Sequence, residues 1–116
     1  MISPGLYNMT CYQGATFNPV FVSTIDDDPV DYTGYTAKMQ VRQYQKDDSD
    51  LIITFDSASS GIALTSYGWV APFATNTQTA ALPLCNFFYD IELTAANGIV
   101  TRYLQGRFTV DGQVTV

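Results

Sequence analysis

Asp90 and Glu92 are the residues of this chain most like a catalytic pair. Two positions apart on a strand, they share a face, and two carboxylates on one face are what acid and base catalysis of glycoside cleavage employs. Their expected neighbours tell against that chemistry. If the strand pairs with residues 100–110, Arg107 lies diagonal to Asp90 and holds it ionised, while Tyr103 stands opposite Glu92, so a ladder of paired surface side chains accounts for both acids. The sequence holds no histidine, so no Ser/His/Asp or Cys/His nucleophile can be built from it. Two cysteines without an imidazole leave a tetrahedral zinc site half empty. Asp26, Asp27, Asp28 and Asp31 could gather oxygens around calcium, but their spacing fits no calcium loop and reads as a solvated turn. Asp47, Asp48 and Asp50 read as a hairpin tip held in water. These residues assign no catalytic role, cofactor or metal, and the chain is expected not to be an enzyme.

The acids sit on the element around which the rest is organised, a hairpin over 87–110 with Asn97-Gly98 as a two-residue type I′ turn. In that register Phe87 faces Phe108, Tyr89 faces Gly106, Ile91 faces Leu104 and Ala95 faces Val100. These form an apolar side, whereas Phe88, Asp90, Glu92, Thr94, Thr101, Tyr103, Gln105 and Arg107 form a mostly polar one. Arg102 falls opposite Leu93 on the apolar side, an inconsistency that a snorkelling side chain near the tip would resolve. The Tyr89 ring is expected to lie across Gly106, with a bulge as the rival reading.

Upstream, alternation marks strands at Tyr7 to Gln13, Thr16 to Ser23 (at an edge or bulged, because of Pro19), Thr36 to Gln43 and Leu51 to Asp56. Ile62 to Thr65 and Trp69 to Phe73 read as shorter ones. Asn76 to Leu82 reads as one helical turn, with Thr75 and Gln78 at capping-box spacing and Pro83 beyond it. Eight strand candidates about ten residues apart predict an all-β, immunoglobulin-like two-sheet antiparallel β-sandwich with one short helical turn, a single domain over 1–116.

A chain of 116 residues buries roughly two-thirds of its unfolded surface, enough for one core without metals or disulfides. A net charge of −6, with five basic residues scattered along the sequence, argues against nucleic-acid and anionic-membrane partners. No apolar run spans a bilayer and no leader-like segment opens the chain, so it is expected to start at Met1 and stay soluble. Asn8-Met9-Thr10 matches a glycosylation acceptor, read as accidental without a leader. Cys11 and Cys85 read as small buried hydrophobes rather than a bridge. The aromatics exceed what so small a core can hold. Tyr44, Tyr67, Trp69, Phe73, Phe88 and Tyr103 are therefore the candidate interface, for protein contact or for a flat carbohydrate platform.

Three stretches carry a resemblance: Tyr32-Thr33-Gly34-Tyr35-Thr36-Ala37-Lys38-Met39-Gln40-Val41-Arg42, then Tyr89-Asp90-Ile91-Glu92-Leu93-Thr94, then Gly98-Ile99-Val100-Thr101-Arg102-Tyr103-Leu104-Gln105-Gly106-Arg107-Phe108-Thr109-Val110. Together they resemble small β-sandwich structural proteins of tailed bacteriophages, the collar-like family that attaches tail fibres and related tail adaptors. The resemblance runs from about Met9 to Val110, and the chain departs from it over Ile62 to Leu84. It implies a non-catalytic virion component, assembled in the host cytoplasm as a homo-oligomer and contacting other phage tail or fibre proteins, with both thiols reduced. A capsid decoration or head-completion protein and a host-adhesion carbohydrate-binding module are the alternatives.

Overall fold

The computed structural model describes residues 5–44, 50–59 and 61–112. The strands are β1 (Gly5–Leu6), β2 (Met9–Tyr12), β3 (Phe21–Val22), β4 (Thr24–Ile25), β5 (Asp28–Pro29), β6 (Thr36–Arg42), β7 (Leu51–Asp56), β8 (Ile62–Leu64), β9 (Trp69–Pro72), β10 (Cys85–Thr94) and β11 (Val100–Asp111). A 3-10 turn at Ser57–Ser59 and a helix α1 at Asn76–Ala80 complete them.

One sheet runs in the order β1-β11-β10-β6-β7, with β2 pairing further along β11, and the other in the order β3-β9-β8. Among the described residues only β1 and β2 lie parallel to their neighbour. Alternation dictates the packing. Ala37, Met39 and Val41 of β6 and Phe87, Tyr89, Ile91 and Leu93 of β10 are buried, meeting Val70 and Ile62 from the smaller sheet in one core. Phe17 joins the layers, its ring 5.4 Å from that of Phe108 and 5.8 Å from that of Phe55. Full burial of a side chain such as Phe108 contributes about 2 to 3 kcal/mol. The result is an immunoglobulin-like two-sheet β-sandwich, as the spacing of strand candidates predicts.

Several local expectations need correction. The strand expected from Thr16 shrinks to Phe21–Val22, reached from Phe17 by a single bridge to Ala74, because Pro19 cannot donate a ladder bond. The Asn97-Gly98 turn is not type I′. Gly98 N donates to Ala95 O at 2.9 Å, and Gly98 has φ +90 while Asn97 does not adopt positive φ. That is a type I turn closed by a left-handed glycine, the three-residue hairpin. The two-residue turn with positive φ at both centres occurs instead between β4 and β5, at Asp26 (φ 51) and Asp27 (φ 68), since Asp tolerates the left-handed region better than most residues. The helix carries the expected capping box, Gln78 N donating to Thr75 Oγ1 at 3.2 Å and Thr75 N to Gln78 Oε1 at 2.8 Å. The Lys46 to Ser49 part of the acidic tip and the tail from Gln113 lie outside the described residues.

The hairpin register holds from Phe87↔Phe108 through Ile91↔Leu104, then shifts, so that Glu92 pairs with Arg102 and Thr94 with Val100. Tyr103 is the extra residue, a bulge that turns its ring toward the other sheet. At Gly106, Tyr89 does not simply cover the glycine. The Tyr7 carbonyl occupies the space a Cβ would need, and accepts the Tyr89 hydroxyl proton. That close approach is where β1 gives way to β2 along β11, and Arg107 N donates to Asn8 Oδ1 at 3.1 Å just beyond it.

Candidate functional site

The six candidate interface residues do not form one site. Val70 and Pro72 of β9 point into the core, so Trp69, Ala71 and, beyond the strand end, Phe73 alternate onto the outer face of the smaller sheet. Val22 pairs with Trp69 and Ala63 with Ala71, extending that face sideways. Trp69 is 40% exposed, Phe73 46%, Tyr67 53% and Val22 59%. None of the residues in β3, β8 and β9 is charged. The face is thus an apolar strip with a floor of alanines between Trp69 and Phe73, the kind of surface that protein partners cover. Tyr67 stands edge-on to Trp69, their centroids 5.2 Å apart and planes at 77°.

Phe88 lies on the opposite side of the molecule, half-buried on the outer face of the larger sheet. Tyr44, just past the end of β6, is exposed. Tyr103 is not an interface residue of the polar face at all. The bulge directs it inward against the core cluster, where its hydroxyl meets Ser23 Oγ at 2.6 Å.

The Asp90 and Glu92 ladder exists with different partners from those expected. Asp90 Oδ2 is 3.5 Å from Arg102 Nε rather than held by Arg107, and Glu92 is opposite Arg102 rather than Tyr103. The bulge also removes the inconsistency at Arg102, which belongs to the polar face. The basic side chains among the described residues, scattered in sequence, gather in space. Lys38, Arg42, Arg102 and Arg107 all lie on this outer face, interleaved with Asp56, Asp90 and Glu92.

Of the acidic loop, Asp31 accepts from Thr33 Oγ1 at 2.6 Å and from Thr33 N at 2.9 Å. Those bonds hold its carboxyl below the usual range, the side-chain bond being the larger cause. Among the described residues no three Asp, Glu or Cys side chains converge on one point. Cys11 is buried, but Cys85 is exposed rather than core, because it opens β10 at the sheet end. Both pair with Val110, on opposite sides of β11. Two strand spacings, roughly 10 Å, separate them, beyond the ~7 Å that a disulfide bridges. Burial pushes the Cys11 thiol up to about 11. Among the described residues no helix is long and apolar enough to cross a membrane.

The layered, antiparallel, two-sheet arrangement puts the chain in the immunoglobulin-like fold class. Among solved structures it is similar to murine CRIg at 10% identity and a TM-score of 0.42, covering 91% of this chain and 92% of that one. No protein-family model and no curated protein matches the chain.

Proposed function

We propose that the chain is a non-catalytic structural protein of a tailed-bacteriophage virion, a collar or adaptor that links tail and fibre or baseplate components by protein contacts. The observation that carries this reading is the uncharged outer face of the smaller sheet, where Trp69, Phe73, Tyr67 and Val22 stay exposed on a rigid scaffold. A partner chain covering them would desolvate aromatic anchors of the kind that dominate binding energy. The resemblance over 32–42, 89–94 and 98–110 supplies the phage context, and the lack of histidine fits a role in which contact rather than turnover is the work. The edge-on Tyr67 and Trp69 rings speak against a flat sugar platform there, since a platform needs rings in one plane.

Mass spectrometry of tailed particles purified from cells that express this gene, with immunogold labelling of the same particles, tests the proposal. The protein is expected at a fixed copy number, with gold on the tail. Its absence from particles would overturn the reading, and label confined to the head would replace it with a decoration protein.

A further inference from the structure

The larger sheet presents a face that two copies can share. Lys38 pairs with Asp56 and with Glu92, and Glu92 pairs with Arg102. Across the four strands β7, β6, β10 and β11 one row therefore reads Asp56, Lys38, Glu92, Arg102, with alternating sign. Pairing likewise places Thr54, Gln40, Asp90 and Gln105 in a second row and Leu51, Arg42, Phe88 and Arg107 in a third.

Consider a second copy laid face to face, related by a two-fold axis parallel to the strands and running between β6 and β10. Each row then meets itself reversed. Asp56 faces Arg102, Lys38 faces Glu92, Gln40 faces Asp90 and Arg42 faces the Phe88 ring. No like charges meet, and Arg42 over Phe88 is a favourable cation–π arrangement.

Net charge singles out the same face. Among the described residues all four basic side chains and four of the nine acids, Asp56, Asp90, Glu92 and, at the far end of β11, Asp111, sit there, leaving it with no net charge. The other described residues carry five acids, Asp26, Asp27, Asp28, Asp31 and Asp50, and no base, so they repel a copy of themselves; this face does not. Four strand widths paired over about seven residues give a plan area of roughly 450 Å², below the standard size of a specific contact and suited to a weak dimer.

We infer that the outer face of the β7-β6-β10-β11 sheet is a two-fold self-association surface, in which Lys38 of each copy pairs with Glu92 of the other and Asp56 with Arg102. The inference deepens the homo-oligomeric assembly that the phage resemblance implies and rests on that reading there, while the smaller sheet's apolar face remains available to the tail or fibre partner. The Asp90–Arg102 pair within each copy is solvent-exposed on both sides, and such a pair is weak enough to be shared with a facing Asp56.

Sedimentation velocity across a concentration series, on the purified chain, tests this. The wild type is expected to dimerise reversibly and to loosen as salt is raised. Lys38→Glu alone, or Glu92→Lys alone, sets like charges against each other and should weaken the dimer about tenfold or more. An equimolar mixture of the two variants should form a heterodimer, because the introduced glutamate of one copy then faces the introduced lysine of the other, and the unaltered Glu92 faces the unaltered Lys38. Both variants remain net negative, so bulk attraction does not explain that rescue. Matching melting curves verify that each is folded. A wild type that stays monomeric up to about 1 mM, a dimer indifferent to both substitutions, or a mixture that fails to associate would each overturn the inference. So would a dimer abolished by Trp69→Ser instead. None of these outcomes bears on whether the protein is found in tails, so failure here and failure of the virion reading are separate results.

Discussion

The hydroxyl oxygens of Ser23 and Tyr103 lie 2.6 Å apart, tying the end of β3 in the smaller sheet to the bulge of β11 in the larger one. Eighty positions separate them in sequence. The bond exists because the extra residue in β11 rotates Tyr103 off the polar face, and Ser23 is itself fixed by its amide donating to Gly68 O at 2.8 Å. Tyr103→Phe should destabilise the fold by about 1 kcal/mol, measured by urea unfolding. Ser23→Ala, which also removes the Ser23 bond to the Tyr32 hydroxyl, should cost less in that variant than in the wild type. Two fully additive losses would show that the hydroxyls do not act as a pair.

At the hairpin tip the left-handed requirement falls on one residue. Gly98 has φ +90, and no atom lies within 4 Å of the point where a Cβ would stand, so replacing it costs backbone strain alone. Gly98→Val should lower stability by about 1 to 2 kcal/mol. Asn97→Ala removes only the exposed bond from Ile99 N to Asn97 Oδ1 and should cost about 0.5 kcal/mol. Equal losses at the two positions would restore the type I′ assignment.

Gly106 is constrained by space rather than by φ. An added Cβ meets the Tyr7 carbonyl and Asn8 Oδ1. Gly106→Ala should therefore push the N-terminal segment off β11 and cost about 2 kcal/mol. Hydrogen exchange localises the effect: the amides of Tyr7, bonded to Gln105 O, and Arg107, bonded to Asn8, should lose protection first. Unchanged protection at both would contradict the close approach.

The folded chain should lose stability on the alkaline side. Burial raises the Cys11 thiol from 9.0 to about 11 and also raises the Tyr89 and Tyr32 hydroxyls. A raised folded value means the neutral form is favoured by folding. Its contribution is complete below the unfolded value near 9.0 and, for Cys11, is lost as pH climbs through about 11. Melting temperature should accordingly fall between pH 9.0 and about 11. At about pH 8, near the ordinary thiol range, a thiol reagent should modify exposed Cys85 rapidly and Cys11 only on unfolding. Two equally fast thiols would contradict the burial.

Much of the scaffold is legible in the sequence because burial enforces alternation. Ala37, Met39 and Val41 against Lys38, Gln40 and Arg42, and Phe87 to Leu93 against Phe88 to Glu92, declare their faces without help from tertiary context. The capping box is equally local. The bulge is hidden because one inserted residue changes no composition; its trace is Arg102 landing on the apolar side opposite Leu93. Asn-Gly serves more than one hairpin turn, so the dipeptide locates the reversal without fixing its type. The site is harder to read. Trp69 and Phe73 share a strand face visible from spacing, yet nothing local sends them to the opposite side of the molecule from Phe88. The gathering of Lys38, Arg42, Arg102 and Arg107 depends on register between strands far apart in sequence.

Incorporation of the Trp69→Ser protein into tailed particles, measured beside the wild type after equal expression and with melting curves to establish that both are folded, tests most directly whether the protein works by docking through its smaller sheet. The wild type should assemble into the tail and the folded variant should remain in the unassembled pool, reduced about tenfold or more, as expected when an aromatic anchor is truncated. Wild-type occupancy by the folded variant would contradict the docking surface.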